Sequence, residues 1–208
     1  MDGYESRPSK GDLWHSLRMV VFDTETTGLS VGSDRILSIG AVALQEGQIM
    51  IGDSYEALVR QGEVQTYEAI PVHGIIPSDI RKGGITESDA MHTFLQYLKS
   101  DVLVAHHANF DVGIVNRALK RQVHPQAFLF NHVLDTAIIA RKLEHPHRPS
   151  SYIDHSQYSL DALCGRYDIS MEDRHTAWGD ALITAKLLLQ LMHIAKSQGY
   201  TSLRWLMG

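Results

Sequence analysis

The 208 residues carry a net charge of −5 with a pI near 6.2, and 44% of them are hydrophobic. That length and composition predict one globular domain with a sizeable core, and the acidic balance excludes binding of nucleic acid through overall positive charge. Cys164 is the only cysteine, which excludes an intrachain disulfide and a cysteine-based zinc site and fits a reducing compartment.

The N-terminal residues 1–17 are polar and rich in Ser, Gly and charge. They predict a flexible extension before a single domain over residues 18–208. They contain no apolar core of signal-peptide length, and no stretch of the chain approaches the roughly 18 apolar residues that a membrane span needs. We therefore expect a cytoplasmic protein with no membrane partner.

A meander of three strands opens the predicted domain. The apolar run Met19–Phe22 predicts a buried strand, and Ile36–Leu44 predicts a second. Ile49–Val59 predicts a third strand, which follows a turn at Glu46 and Gly47.

Helices and strands then alternate. The sequence Thr-Glu-Ser-Asp at 86–89 resembles a capping box, and the apolar positions after it have helical spacing. The next predicted elements are a strand at Val102–Ala105, a helix at Asn109–Leu119, a strand end at Val133–Leu134, and helices at Thr136–Leu143, Ser159–Tyr167 and Trp178–Lys196. Residues 145–157 predict a loop. This order predicts an α/β fold with a mixed sheet flanked by helices.

Two acidic side chains follow the first predicted strand. Asp23 and Glu25 are two residues apart, so on a continuing strand both point to the same side of the sheet. Neighbouring carboxylates repel each other unless a cation lies between them, and oxygen-rich sites of this kind suit Mg²⁺ or Mn²⁺. A strand that ends in a polar turn also accounts for such a pair. The pair alone therefore does not distinguish a metal site from a polar turn.

The segment His106–Asp111 brings a third carboxylate. It follows the strand Val102–Ala105 and places Asp111 in the first turn of the next helix. A carboxylate in that position interacts favourably with the helix dipole whatever its function. Helix capping and a functional role therefore explain Asp111 equally well.

The segment His175–Asp180 brings a histidine and a fourth carboxylate. On a continuous helix the two side chains would lie about 140° apart and could not converge. Gly179 weakens the helix start, so His175 is predicted on the loop before the helix and Asp180 near its first turn. A rigidly held carboxylate suits a metal ligand and a mobile histidine suits proton transfer, although a solvated loop histidine also explains His175.

Together the three segments resemble the DEDDh, or DnaQ-like, exonucleases, which bacterial proofreading subunits typify. The resemblance rests on Val-Val-Phe-Asp-Thr-Glu-Thr-Thr-Gly-Leu at 20–29, His-x-Ala-x-Phe-Asp at 106–111 and His-x-x-x-x-Asp at 175–180, in the family's order and spacing. Smaller matches are Val72–Ile75 and Ser159–Cys164. The resemblance covers about residues 19–191 and implies a ribonuclease H-like fold and 3′→5′ exonuclease activity.

The resemblance implies a role for each of five side chains. The metal ligands would be Asp23, Glu25, Asp111 and Asp180, and the general base would be His175. Two divalent cations, Mg²⁺ or Mn²⁺, would lie about 4 Å apart and hold the scissile phosphate between them. His175 would accept the proton of the attacking water near neutral pH, and in-line attack would release a nucleoside 5′-monophosphate.

The resemblance also implies a substrate-binding surface. In the family, the segment that corresponds to Thr26–Leu29 touches the terminal nucleotide, with the leucine wedged near the last bases. The predicted substrate contacts are Thr26, Thr27, Gly28, Leu29, His73, His106, His107, Asn109 and Phe110. His107 departs from the family, which often has Asn there, so the resemblance implies less about contacts at that position.

Two other classes of protein fit part of the pattern. The opening motif of haloacid-dehalogenase-type phosphatases is similar to residues 23–27, and there Asp23 would be the nucleophile. That family uses neither His175 nor the 106–111 motif. A non-catalytic nucleic-acid-binding module is the other class, yet it could lose any of the five expected groups without penalty, and all are present. Thr176 disfavours the related exonuclease group, which has a tyrosine at that position.

The expected substrates are 3′ ends of single-stranded DNA or RNA, with DNA favoured. Few residues follow the last predicted helix, which leaves little room for a polymerase-binding tail and favours a free-standing enzyme. A DNA polymerase partner remains open, as does the oligomeric state. The C-terminal Leu203–Met207 fits either the core or a subunit contact.

Overall fold

A six-stranded sheet organises the chain. The computed structural model describes residues 6–61, 83–146 and 153–207. Its strands are β1 (Met19–Thr26), β2 (Ile36–Gln45), β3 (Gln48–Arg60), β4 (Ile85–Thr86), β5 (Val102–Ala105) and β6 (Val133–Asp135). The α-helices of these residues include α1 (Glu87–Leu98), α2 (Asn109–Gln122), α3 (Thr136–Glu144), α4 (Leu160–Arg166), α5 (Ala177–Ser197) and α6 (Leu203–Met207), and 3₁₀ turns lie at Trp14–Ser16 and His155–Tyr158.

The strand order is β4-β3-β2-β1-β5-β6, and the sheet is mixed. β1, β2 and β3 pair antiparallel, whereas β5 and β6 run parallel to β1. The predicted meander followed by alternating helices and strands is therefore confirmed. Because β1, β5 and β6 are parallel, their carboxyl ends meet at one edge of the sheet, where α2 and α3 also begin.

The two faces of β1 pack against different helices. Met19 and Val21 join a buried cluster with residues of α3, α4, α5 and α6, and Val20 and Phe22 join a second cluster with residues of α1 and α2. Strand side chains alternate between faces, so the side chains of Asp23 and Glu25 continue the face that α5 covers. None of the helices in residues 6–61, 83–146 and 153–207 is long and apolar enough to cross a membrane.

Residues 6–17, the described part of the predicted flexible extension 1–17, pack against the C-terminal part of the chain. Trp14 is only 4% exposed, and its indole N–H donates a hydrogen bond to the carbonyl of Tyr200 at 3.0 Å. The backbone N–H of Leu203 donates to the carbonyl of Asp12 at 2.9 Å, so the segment before β1 is tied to the start of α6. A single aromatic anchor in a polar stretch accounts for this packing, because burial of one large ring stabilises a docked segment.

Candidate active site

Three carboxylates converge at the carboxyl end of β1. Asp23 and Glu25 lie on one face of the strand, half-buried, and Asp180 in the first turn of α5 faces them. One carboxylate oxygen from each of the three lies within 4.8 Å of the others. The predicted period-two pairing of Asp23 with Glu25 thus brings both to the same site as Asp180.

A glycine on β2 lets α5 approach the sheet. Gly40 is the antiparallel partner of Asp23, and a Cβ atom added at Gly40 would lie 2.2 Å from the backbone nitrogen of Trp178. Any side chain there would push the first turn of α5, and with it Asp180, away from β1. Trp178 is half-buried, and its backbone is the part of α5 that comes closest to Gly40.

A second glycine shapes the turn that leads into α5. The helix begins at Ala177, and the hydroxyl of Thr176 accepts a hydrogen bond from the Gly179 N–H at 3.0 Å. A Cβ atom added at Gly179 would lie 2.0 Å from the carbonyl oxygen of Asp173. Gly179 therefore lies inside the capped helix, where it allows the close approach of the preceding loop, rather than weakening the helix start as predicted.

His175 lies on that loop, where the sequence placed it. Its backbone has φ of 68°, a left-handed conformation that costs a non-glycine residue about 1–2 kcal/mol, and its side chain is exposed. Its N–H points to the Asp180 carboxylate at 3.4 Å, and its ring does not belong to the group of three carboxylates. The loop therefore holds His175 beside the cluster without bringing its imidazole among the carboxylates.

Asp111 approaches the cluster from the opposite face of β1. It is 4% exposed in the first turn of α2, and its Oδ1 accepts hydrogen bonds from the Thr24 N–H at 3.0 Å and the Thr24 hydroxyl at 2.7 Å. Thr24 lies between Asp23 and Glu25 on the strand, which places Asp111 beside the cluster. Its carboxylate nevertheless does not belong to the group of three within 4.8 Å.

Burial, and after it the charges of neighbouring carboxylates, raise the pKa values in this cluster. Burial raises the pKa of Asp23 well above its ordinary value, and the charges of Asp111, Asp180 and Glu25 add to that effect. Burial and then the charge of Asp180 raise the pKa of Glu25 to about 7. Burial also raises the pKa of Asp111 to about 7, although hydrogen bonds from Thr24 oppose the rise. A divalent cation among them would relieve this repulsion.

Arg174 is a cation that the sequence did not single out. Its Nη1 donates to Asp180 Oδ2 at 2.5 Å, and its Nε donates to Asp161 Oδ1 on α4 at 2.8 Å. Burial alone would lower the pKa of Arg174, but its contacts with Asp161 and Asp180 outweigh burial and raise it. The position of Arg174 next to His175 was the only signal in the sequence.

Asp135 is another residue that the sequence left unnoticed. Its carboxylate caps α3, and it also accepts hydrogen bonds from the N–H groups of His107 at 3.3 Å and Ala108 at 3.0 Å. It thus fixes the turn before α2 that carries Asp111. The ring of His106 is held there too, with Nδ1 2.8 Å from the Thr136 hydroxyl, and burial lowers its pKa to about 3.

The segment after β1 forms a tight, internally bonded turn. The Thr26 hydroxyl donates to the Gly28 carbonyl at 2.6 Å, and the Thr27 hydroxyl donates to Asp34 at 2.8 Å. A Cβ atom at Gly28 would lie 2.8 Å from the same Asp34 carboxylate. Both threonines are buried, whereas Leu29 is 90% exposed. In this turn Leu29 is the side chain that is free to meet a ligand.

The other predicted substrate contacts divide by exposure. His107, with φ of 56°, and Asn109 are exposed at the start of α2. Phe110 is half-buried and packs against the core cluster under α1 and α2, and His106 is half-buried. His73, with the match at Val72–Ile75, lies outside the described residues.

The donor set suits a hard divalent cation. Asp23, Glu25 and Asp180 supply only oxygen ligands within reach of one ion, and Asp111 adds a fourth carboxylate beside them. Oxygen-only sites are typical of Mg²⁺ and Mn²⁺, and mutual repulsion in this cluster favours a bound cation. The residues present therefore fit a bound divalent cation.

A mixed α/β sheet with a carboxylate cluster at the end of its central strand defines the class of ribonuclease H-like nucleases. The chain belongs to the exonuclease family, whose model matches residues 20–188. The predicted membership of the DnaQ-like group is confirmed, and the match sets aside the haloacid-dehalogenase-type alternative.

The most similar relatives include proteins with DNA polymerase III names. The chain is 33% identical over 180 residues to the DNA polymerase III PolC-type protein of Bacillus subtilis, which covers 86% of this chain and 12% of that one. It is 34% identical over 189 residues to a DNA polymerase III subunit epsilon-like protein of Rhodobacter capsulatus, which covers 89% of this chain and 25% of that one. The chain therefore spans a quarter or less of these relatives.

Solved structures share the fold. E. coli Exonuclease I in complex with a dT13 oligonucleotide matches with a TM-score of 0.73 at 16% identity, over 88% of this chain and 43% of that one. A zinc-bound form of the same enzyme with single-stranded DNA matches with a TM-score of 0.72 at 16% identity, over 89% and 42% of the two chains. The predicted ribonuclease H-like fold is confirmed.

Proposed function

We propose that this protein is a 3′→5′ exonuclease that removes nucleotides one at a time from the 3′ ends of single-stranded nucleic acid, with DNA favoured over RNA. The observation that carries the proposal is the convergence of Asp23, Glu25 and Asp180 at the end of β1, with Asp111 hydrogen-bonded to the strand beside them. The family's motif assigns the same four residues to metal binding.

The four carboxylates would hold two divalent cations, Mg²⁺ or Mn²⁺. When bound, such ions supply charge stabilisation at a phosphodiester and lower the pKa of a bound water. The protein's own part is to fix the ligands on rigid elements: Asp23 and Glu25 on a central strand, and Asp111 and Asp180 in first helical turns. This preorganisation places charge where the scissile phosphate would lie.

His175 would act as the general base. Its backbone lies beside Asp180, its ring is exposed, and it sits on a loop, so a modest movement brings the imidazole to a water at the carboxylates. Leu29, which is 90% exposed after the tight turn, would pack against the terminal base. The exposed His107 and Asn109 would contact the nucleic acid strand.

The relatives support DNA as the substrate, and they are compatible with either a free-standing or a polymerase-associated enzyme. Exonuclease I is solved with single-stranded DNA, and the sequence relatives carry DNA polymerase III names. We propose that the protein acts in the cytoplasm on DNA ends, either as a free-standing nuclease or with a DNA polymerase partner.

One digestion experiment tests the activity, its polarity and its substrate together. Purified protein is incubated with internally labelled single-stranded DNA, duplex DNA and RNA, each with a free or phosphate-blocked 3′ end, in chelator, Mg²⁺ or Mn²⁺. We expect metal-dependent release of nucleoside 5′-monophosphates, fastest on single-stranded DNA and suppressed by the 3′ block. A block at the 5′ end should not matter. Sensitivity to the 5′ block alone would refute the polarity.

A further inference from the structure

Arg174 bridges two carboxylates at the mouth of the acidic cluster. Its guanidinium donates to Asp180 at 2.5 Å and to Asp161 at 2.8 Å. The two carboxylates differ in setting: the Asp180 side chain is 7% exposed and the Asp161 side chain is 60% exposed. The guanidinium therefore spans from a buried candidate metal ligand to a surface anchor.

This bridge places a positive charge directly against the carboxylate that Asp180 would offer to an ion. Oδ2 of Asp180 accepts the Arg174 hydrogen bond, and Oδ1 faces the N–H of His175 at 3.4 Å. A cation bound to Asp180 would be repelled by the Arg174 guanidinium at short range, although an ionised carboxylate has lone pairs for more than one partner. An ion at the site therefore competes with Arg174 for Asp180.

The anchor allows that contact to break without losing the arginine. Asp161 lies on α4, outside the cluster, and holds Nε rather than the Nη1 atom that reaches Asp180. The loop on both sides of Arg174 is backbone-strained, with φ of 61° at Asp173 and 68° at His175. Rearrangement of this loop would release the strain of the two left-handed non-glycine residues.

We propose that Arg174 is a positioning residue that serves as a built-in counter-ion for Asp180 and competes with metal ions for it. In the metal-free protein the guanidinium holds Asp180 in place and offsets the repulsion among the carboxylates. A metal ion held by Asp180 would weaken this contact, and Asp161 would keep the Arg174 guanidinium at the rim. The metal concentration at which the site fills is thereby set by Arg174. This inference rests on the proposed metal-dependent function.

The test measures metal binding directly, without substrate. Mn²⁺ is titrated into the metal-free full chain at pH 8 by isothermal calorimetry, for the wild type and for Arg174→Gln. Removing the competing guanidinium should tighten Mn²⁺ binding by about 10-fold, which corresponds to about 1.4 kcal/mol. Damage to the fold would have the opposite sign, since a disordered site binds metal more weakly, so circular dichroism and thermal unfolding accompany each titration.

The matched control is Arg166→Gln. Arg166 pairs with Glu144 and does not contact the acidic cluster. Its substitution removes the same unit of positive charge as Arg174→Gln. It should change the affinity for Mn²⁺ by less than about 2-fold, because exposed charges at a distance are screened. Arg174→Lys keeps the charge but lacks the planar fork that reaches two carboxylates at once, so its affinity should fall between wild type and Arg174→Gln.

Each outcome decides one question. If the wild type binds Mn²⁺ and neither Arg174→Gln nor Arg174→Lys binds it more tightly, the counter-ion role is overturned. The proposed exonuclease activity is not affected by that result. An equal gain in Arg166→Gln also overturns it, since the effect would then be general charge. No Mn²⁺ binding by the wild type or either Arg174 variant overturns the metal-dependent function itself.

Discussion

Asp111 and Asp180 occupy similar places in the fold but are held by different partners. Each lies in the first turn of a helix, each is buried, and each faces the carboxyl end of β1. Asp111 is held by the neutral N–H and hydroxyl of Thr24, on a neighbouring strand of the core. Asp180 is held by the charged guanidinium of Arg174, on a loop.

The difference separates a fixed ligand from an adjustable one. The position of Asp111 depends on hydrogen bonds inside the sheet, so it should be the same with or without a cation. The position of Asp180 depends on which cation it faces, an arginine or a metal ion. Catalysis should treat the two residues alike, because both would be ligands, whereas unfolding and metal binding should tell them apart.

The largest expected effect is loss of hydrolysis on removal of a ligand. Asp23→Ala, Asp111→Ala and Asp180→Ala should each abolish nucleotide release, because too few carboxylates remain to hold the ions at the phosphate. The measurement is release of labelled mononucleotide from single-stranded DNA, with circular dichroism to confirm the fold.

The control for these variants is Glu46→Ala, an exposed carboxylate in the turn between β2 and β3. It removes the same charge at the opposite end of β1 from Asp23, because Leu44 pairs with Met19, and it should keep wild-type turnover. Turnover near wild type in purified Asp23→Ala or Asp180→Ala, free of contaminating nuclease, would show that the metal assignment is wrong.

A smaller loss of cleavage activity is expected when His175, on the loop before α5, is replaced. His175→Ala should lower the single-turnover cleavage rate by roughly 10²–10⁴, the usual contribution of a general base. Its affinity for Mn²⁺ should stay close to wild type, because all four carboxylates remain. His155→Ala, another exposed histidine on a 3₁₀ turn, is the matched control. A wild-type rate for His175→Ala would remove His175 from the mechanism.

The sequence predicted the positions of the carboxylates better than it predicted the partners that hold them. Period-two spacing placed Asp23 and Glu25 on one face, and helix-start signals placed Asp111 and Asp180 in first turns. Arg174 could not be found in this way, because its partner Asp161 is 13 residues away on another helix and no local pattern joins them.

The glycines and the N-terminal segment show the same limit. The need for Gly40 comes from α5, which lies over 130 residues further along the chain, and Trp14 is anchored by Tyr200. Such contacts depend on tertiary packing, whereas periodicity and capping report only local structure. The fold class and the positions of the candidate ligands were therefore predictable, and the partners that orient these residues were not.

The pH dependence of stability should expose the repulsion that metal ions relieve. The pKa values of Glu25 and Asp111 are raised to about 7, above those of the unfolded chain. Between about pH 4.5 and 7 the folded metal-free protein therefore binds more protons than the unfolded chain, and its free energy of unfolding falls as pH rises. We expect a fall on the order of 2 kcal/mol by urea denaturation in chelator.

Saturating Mn²⁺ should remove most of that fall, and Glu25→Gln or Asp111→Asn should flatten it. Glu46→Gln, in the turn between β2 and β3, should leave it unchanged. A free energy of unfolding that rises between pH 5 and pH 7.5 in the metal-free wild type would contradict the raised pKa values.

The smallest expected effect tests how Asp111 is fixed. Thr24→Val keeps the shape of the side chain but removes the hydroxyl that donates to Asp111 at 2.7 Å, while the backbone N–H at 3.0 Å remains. Loss of one hydrogen bond to a buried carboxylate should lower the free energy of unfolding at pH 8 by about 1–2 kcal/mol. Thr24→Ser retains the hydroxyl, so it should keep the Asp111 contact and lose only the contribution of a methyl group. Because Asp111 would be less firmly held in Thr24→Val, cleavage should slow several-fold in that variant and stay near wild type in Thr24→Ser. Equal cleavage rates in the two variants would show that the backbone N–H alone suffices to position Asp111.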